Sequence, residues 1–294
     1  MDAQCDVIVC GSLHLDIVVE APHLPRTDET VVGTIWRQVC GGKGGNQAVQ
    51  AARAGARTAM IGRVGCDDFG ARLLAHLDTA GVDRRGVGED ETAGSGMSIA
   101  TLVTGGDYGA VIVSGSNLRI PPTEVADIWA RLGGGRVLVL QNEVPHAVNV
   151  AAARAARGSG ARVVLNAAPA RDCGDDLLEL VDVLVVNRVE AEMLSGGGVG
   201  DRDAAIVALA KLGADRRAVV ITLGAGGLVA AAPDRPAFAL AAVKVDVVST
   251  HGAGDCFVGT LAHRLARGDG LVEACHQANA AAARFVSGGE GNGC

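Results

Sequence analysis

The sequence predicts an α/β fold in three layers, with a central and mainly parallel β-sheet held between helices and a small β-sheet lid standing off it. Two observations carry this. Short β-branched runs alternate with Ala-rich stretches of helical period, the pattern of strands joined by covering helices. Two regions, about 13–39 and 96–115, break that rhythm with extended segments that no helix connects.

In chain order, strands are expected at 6–10, 58–64, 137–140, 162–165, 183–186 and 218–222, because each is a run of Val, Ile, Leu or Thr bounded by turn residues. Helices are expected at 47–54, 68–80, 123–132, 147–157, 202–212 and 272–285, where Ala, Leu and charged residues recur at helical spacing. In the second break, 97–103 and 110–113 flank a turn at 104–109, which reads as a hairpin; edge strands of the main sheet are the alternative. No linker, tandem repeat or low-complexity tract divides the chain, so residues 1–294 are expected to form a single domain with the two breaks as its lid.

Composition narrows the partners. The formal charge is -7 and 49% of the residues are hydrophobic, without basic clusters interleaved with aromatics, so a small molecule is expected rather than nucleic acid. No apolar run approaches the roughly 20 residues that span a bilayer, and no charged-then-apolar leader opens the chain; a cytoplasmic protein with no membrane partner is expected. The eight cysteines show neither CxxC pairs nor zinc-type spacing, and are expected to be reduced thiols. The internal ones are expected to be small buried hydrophobes, with sensitivity to oxidation the alternative for Cys40 and Cys256, which flank candidate site segments.

Chemistry concentrates where glycine-rich turns open helices. In Ser249-Thr250-His251-Gly252-Ala253-Gly254-Asp255, a small-residue turn delivers one carboxylate to the start of an apolar helix pattern. Amides at a helix N-terminus suit an anion, and Asp255 beside them can take a proton; a tight turn with Asp255 as N-cap is the plainer reading. A second such turn, Cys40 to Gln47, offers Lys43 and Asn46 as donors, with Asn46 placed near the helix cap. It is not a Walker A loop, since no Ser or Thr follows the Lys. Asp16 lies in an otherwise apolar segment and Glu143 follows a buried-looking run, and carboxylates at strand ends accept hydrogen bonds from hydroxyls or simply face solvent. Asn187 and Glu190 stand three apart, a spacing that suits outer-sphere magnesium or a capping box. Thr222 to Gly227 ends a strand in a glycine turn that meets phosphates or merely closes a loop.

Taken in this order, the segments resemble the PfkB sugar kinase family, and most closely its ribokinase branch, over nearly the whole chain. The matching motifs are Gly11-Ser12-x-x-x-Asp16, Gly41-Gly42-Lys43-Gly44-x-Asn46-Gln47-Ala48, Gly65 to Gly70, Asn166 to Ala170, Asn187-x-x-Glu190, Thr222-Leu223-Gly224-x-x-Gly227 and Gly252-Ala253-Gly254-Asp255. The resemblance implies a ribokinase-like fold and a homodimer formed through the β lid. It also implies transfer of the γ-phosphate of ATP to the hydroxymethyl of a small sugar, ribose in the nearest branch. In that picture Asp255 is the base, and the amides around Gly252, Ala253 and Gly254 form the anion hole. His14, Asp16, Gly42, Lys43, Asn46 and Glu143 hold the sugar. Asn187 and Glu190 organise Mg2+ through water, Thr222, Gly224 and Gly227 take the nucleotide phosphates with Asn187 and Gly254, and Asn279 lies near the adenine or ribose of ATP.

Three departures modify these expectations. Relatives usually carry Asp where this chain has Ser249, an acid that helps hold a monovalent cation, so weak potassium dependence is expected even if carbonyls around 251 and 286–291 form a weaker site. Relatives of the ribose branch commonly have Asn where this chain has His14, which puts a bulkier imidazole against the sugar. Relatives also usually continue past the equivalent of Cys294 into a closing helix, so either the sequence is a shortened piece or that element is absent. Two other functions remain open: a nucleoside kinase of the same fold, for which the scarce aromatics offer little stacking, and a non-catalytic sugar- or nucleotide-binding protein.

Overall fold

The computed structural model describes residues 4–103 and 108–288. The turn expected at 104–107 and the carbonyls of 289–291 lie outside the described residues.

In chain order the strands are β1 (Cys5–Cys10), β2 (His14–Ala21), β3 (Ile35–Gly41), β4 (Thr58–Gly65), β5 (Asp83–Asp90), β6 (Gly96–Val103), β7 (Tyr108–Val113), β8 (Gly135–Gln141), β9 (Arg162–Asn166), β10 (Val183–Asn187), β11 (Ala218–Thr222), β12 (Leu228–Ala232) and β13 (Arg235–Leu240). The helices are α1 (Lys43–Arg53), α2 (Asp68–Thr79), α3 (Val125–Arg131), α4 (His146–Gly158), α5 (Asp175–Leu178), α6 (Arg188–Ser195), α7 (Arg202–Lys211), α8 (Ala253–Ala266) and α9 (Leu271–Val286).

Nine strands form one sheet in the order β13-β12-β11-β10-β9-β8-β1-β4-β5. The run from β11 to β5 is parallel throughout, and β12 and β13 close one edge antiparallel. The reason is visible in β1. Ile8 and Cys10 pack on one face with Trp129, Leu138 and Leu140, while Val7 and Val9 pack on the other with Val137, Phe257 and Leu261. A strand buried on both faces must be apolar at every position, which is how β-branched runs specify a covered parallel sheet.

The two breaks pair with each other, not with the main sheet. β3-β2-β6-β7 is a separate four-stranded sheet in which β2 and β6 run parallel and the outer pairs antiparallel. Edge strands of the main sheet, the alternative reading, are thereby ruled out. Between β2 and β3 the chain makes a long irregular excursion, so the first break holds less strand than its composition suggests.

Helix α1 starts at Lys43, four residues before the expected 47, and its cap is Gly42 at φ 84. Gly44 and Gly45 read as helix breakers, yet they sit inside the first turn because the helix backbone presses on the β1–β2 loop: a Cβ on Gly44 would meet Ser12 N at 2.5 Å. Close packing overrides propensity here, and Asn46 lies within the helix instead of at its cap.

Candidate active site

Parallel register brings distant segments to one edge. Cys10 pairs with Leu140, Gln141 with Asn166, Asn166 with Val185, and Asn187 with Thr222. The residues just past the strand ends, among them Ser12, Glu143, Ala167, Arg188 and Leu223, therefore line the carboxyl edge of the sheet, where open α/β folds bind ligands.

One side of this edge gathers the residues expected to hold a sugar. Glu143 Oε2 accepts hydrogen bonds from the Ser12 hydroxyl and, at 2.9 Å, from the backbone N–H of Lys43. His14 Nδ1 lies 3.9 Å from the same oxygen, and its Nε2 is buried without a hydrogen-bond partner among the described residues. Gly42 cannot be replaced, because its φ of 84 is left-handed and a Cβ would meet His14 N at 2.8 Å. Asp16 projects from β2 against Gly41, where there is no room for a Cβ, and accepts from the Ser98 hydroxyl of β6. The second sheet thus supplies one wall of this side.

Asp255 stands in the first turn of α8, whose cap is Gly252 at φ 81. The capping reading fails: no side chain caps this helix, and Asp255 is already helical. Of the first amides, Ala253 N donates to the Thr250 carbonyl and Cys256 N to the Gly252 carbonyl. The amides of Gly254 and Asp255 donate to nothing among the described residues. Unpaired helix N-terminal amides next to a carboxylate make an anion cradle with a proton acceptor at its rim. Asp255 is gripped from α1, with Asn46 Nδ2 at 3.0 Å from Oδ2 and Gln47 Nε2 at 2.9 Å from Oδ1. Burial pushes the Asp255 carboxyl above the usual carboxylate range, the charge of Lys43 and the two side-chain amides pull it back, and Glu143 adds to the rise. A carboxylate raised in this way is a better base than one in water.

On the other side, Asn187 and Glu190 form a capping box on α6: Asn187 Oδ1 accepts from Glu190 N at 2.9 Å, and Glu190 Oε2 accepts from Asn187 N at 2.8 Å. Glu190 is 8% exposed, and its carboxyl is raised by burial, against the lowering effects of the Asn187 N–H and of Lys43. Thr222 Oγ1 donates to the Val186 carbonyl at 3.4 Å, Gly224 has φ 57, and Gly227 at φ 84 lies against the Leu240 carbonyl. Asn279 Nδ2 donates to Ala241 O at 2.8 Å, tying α9 to the chain that packs on Gly227. A cavity of about 620 Å³ adjoins this turn, lined by Arg188, Asp201, Arg202, Leu223 and Gly226 among others.

Charge links these two groups: Lys43 acts on both Asp255 and Glu190, and Asp255 raises the Glu190 carboxyl further. Ser249 is exposed, and its hydroxyl accepts from His251 N at 3.3 Å. Cys256 is 5% exposed with its thiol pushed up to about 11, chiefly by burial, which makes it unreactive and sets aside the alternative of oxidation sensitivity there. Sequence reasoning assigned no role to Ser12, Gln47, Ser98 or Gln141. Ser12 and Gln47 carried a signal, since both stand inside the matching motifs, whereas Ser98 and Gln141 carried none.

The chain is similar to known proteins along nearly its whole length. The model of the pfkB family carbohydrate kinases matches residues 5–293. The ribokinase of Haemophilus influenzae is 32% identical over 95% of this chain and 91% of its own length. The mouse (Mus musculus) ribokinase is 35% identical over 88% and 81%. Among solved structures, Arabidopsis thaliana ribokinase complexed with ribose and ATP superposes with a TM-score of 0.89 at 27% identity, covering 99% of this chain and 95% of that one.

Proposed function

This chain belongs to the pfkB family of carbohydrate kinases, and from that premise we propose that it transfers the γ-phosphate of ATP to the hydroxymethyl group of ribose, with Asp255 as the general base. One observation carries the reading: a carboxyl raised by burial sits beside two unpaired amides of α8, between a hydroxyl-binding side and a phosphate-binding side. Phosphoryl transfer asks for in-line positioning, charge stabilisation and a proton acceptor, with little covalent work.

The chain's own groups account for the steps. Glu143, Asp16 and Lys43 orient the sugar by its hydroxyls, and His14 supplies its unpaired Nε2. Asp255 takes the hydroxymethyl proton as that oxygen attacks the γ-phosphorus, the bond from phosphorus to the β,γ-bridging oxygen breaks and ADP leaves. The Gly254 and Asp255 amides stabilise charge on the phosphoryl oxygens, as preorganised donors do in a site that excludes water. Thr222, Gly224, Gly227 and Asn187 receive the remaining phosphates, and Asn279 braces the wall beside the nucleoside. Magnesium, when bound with the nucleotide, supplies charge neutralisation; Glu190, with one oxygen engaged in its cap, and exposed Asn187 would hold it through water.

The second sheet serves as lid and dimer contact in this reading. It exposes Trp36, Ile99, Val111 and Val113, which the strand register sets on one side, an apolar face that a second copy would cover. A reducing, cytoplasmic setting fits the buried free thiols of Cys5, Cys10, Cys173 and Cys275, and no described helix is long and apolar enough to cross a membrane. ADP release measured over ribose, other pentoses, fructose and nucleosides tests the acceptor. Turnover greatest with ribose is expected; a nucleoside turned over faster would overturn it.

A further inference from the structure

Gln47 has no part in the reaction described so far, yet it is fully buried with its carboxamide engaged at both ends. Its Nε2 donates to Asp255 Oδ1 at 2.9 Å and to Asn166 Oδ1 at 3.0 Å, and its Oε1 accepts from Gln141 Nε2 at 2.7 Å. The amide ends are not interchangeable. Asn166 directs its own NH2 to the Val185 carbonyl at 3.1 Å, so it offers Gln47 only an oxygen. Turned over, Gln47 would set its oxygen against two acceptors and its NH2 against that of Gln141.

Gln141 is odder still. It is fully buried at the end of β8, 94 residues from Gln47, and its Oε1 has no hydrogen-bond partner among the described residues. A buried acceptor without a donor is destabilising, and a Leu or Met of similar volume would avoid it. The main-chain carbonyl of Gln141 accepts from Asn149 Nδ2 at 2.8 Å, which pins the strand end that carries the side chain.

We infer that Gln47 is a positioning residue for the base, and that Gln141 sets its orientation, so that a buried relay from Gln141 through Gln47 holds Asp255 Oδ1 in place during transfer. The inference rests on Asp255 being the base. It also divides the work of the two α1 amides. Asn46 lies on the more open side, so its bond to Oδ2 is the one an acceptor hydroxyl displaces. The Gln47 bond to Oδ1 persists and fixes the angle at which Oδ2 meets that hydroxyl.

The test compares Gln141→Met, Gln141→Leu, Gln47→Met, the Gln47→Met/Gln141→Met double variant and Asp255→Asn by ADP release, with thermal melting alongside. A misplaced base loses rate, not affinity, so Gln141→Met is expected to lower kcat about tenfold or more while leaving both KM values within about twofold. Because Gln141 acts only through Gln47, the double variant should be no slower than Gln47→Met alone. Unchanged kcat in Gln141→Met, additive losses in the double variant, a change confined to KM, or failure of both Gln141 variants to fold would each overturn the relay. Turnover surviving in Asp255→Asn would instead overturn the base assignment. An inactive Asp255→Asn beside a fully active Gln141→Met would overturn the relay alone.

Discussion

Substituting Gly259 by Ala probes how the base is brought to its partners. Gly259 lies one helical turn beyond Asp255 on α8, where that helix crosses α1 with almost no space between backbones. An added Cβ would meet Ala51 N at 2.7 Å, Gln47 O at 2.8 Å and Gln50 Cβ at 2.8 Å. Two of these are main-chain atoms and cannot swing aside. Ordinary contact begins near 3.4 Å, so α1 and α8 must part by ~0.7 Å. Such a shift stretches the Gln47 and Asn46 bonds to Asp255, now 2.9 and 3.0 Å, past hydrogen-bonding range. Overpacking costs about 1–3 kcal/mol, and the better helix propensity of Ala returns about 1 kcal/mol, so melting should fall by only a few degrees. Rate should fall much further, by about a hundredfold, since that is the penalty for a catalytic group displaced by about 1 Å. Steady-state ADP release and a melting curve on the same sample separate the two effects. Wild-type kcat in a folded Gly259→Ala protein would refute the claim that close helix approach sets the base.

Asp255→Asn should also change the pH dependence of stability, in a direction fixed by linkage. Burial raises the Asp255 pKa in the folded protein, so stability is lost as pH rises above the unfolded carboxylate value of about 4, and the loss persists at neutral pH. Asn removes that penalty but turns its NH2 against the Asn46 or Gln47 donor at every pH, so the melting point of the variant relative to wild type should rise from pH 4 to pH 7; a difference that does not move with pH would contradict the raised pKa. For monovalent cations, Ser249 offers only an uncharged hydroxyl, already accepting from His251 N, and exchanging sodium for potassium should leave turnover nearly unchanged. Strong activation by potassium would show that other groups supply the site, whereas Ser249→Asp should introduce a dependence where none existed.

The parallel sheet was legible because β1, β8 and β10 are buried on both faces and must be apolar throughout. β5 was not, since Asp83-Arg84-Arg85 opens an edge strand whose outer face is solvated, and neither were β12, a short Ala-rich strand inside the sheet, and β13, the largely exposed edge beside it, which show no period to detect. The same division holds in the site. Asp255 was legible because a glycine turn, an acid and a helix start fall within one short segment. The pairings of Ser98 with Asp16 and of Gln141 with Gln47 span 82 and 94 residues and arise from strand register and helix crossing, which local pattern does not encode. The early start of α1 was hidden for the opposite reason: a local signal, two glycines, was overruled by a tertiary contact.

The charges around the site make a demand on the nucleotide. Glu143 adds to the negative field at Asp255 and Asp255 to that at Glu190, while Lys43 is the cation that acts on both Asp255 and Glu190. A triphosphate adds several negative charges to this set, and the two open amides of α8 carry only partial positive charge. Arg188 and Arg202 line the cavity beside the Thr222–Gly227 turn but Asp201 lies among them, so on the proposed reading the nucleotide is expected to bring its own counter-ion. The protein gives that ion no resident cage, since no group of three His, Cys, Asp or Glu suited to a metal occurs among the described residues. Magnesium would suit such a site, since it keeps most of its waters, and Glu190 and Asn187 would hold it through them. Chelation should accordingly abolish turnover while leaving the melting temperature of the nucleotide-free protein unchanged. A nucleotide-free protein that melts lower after chelation would mean that an ion stabilises the fold itself, and the charge argument would fail.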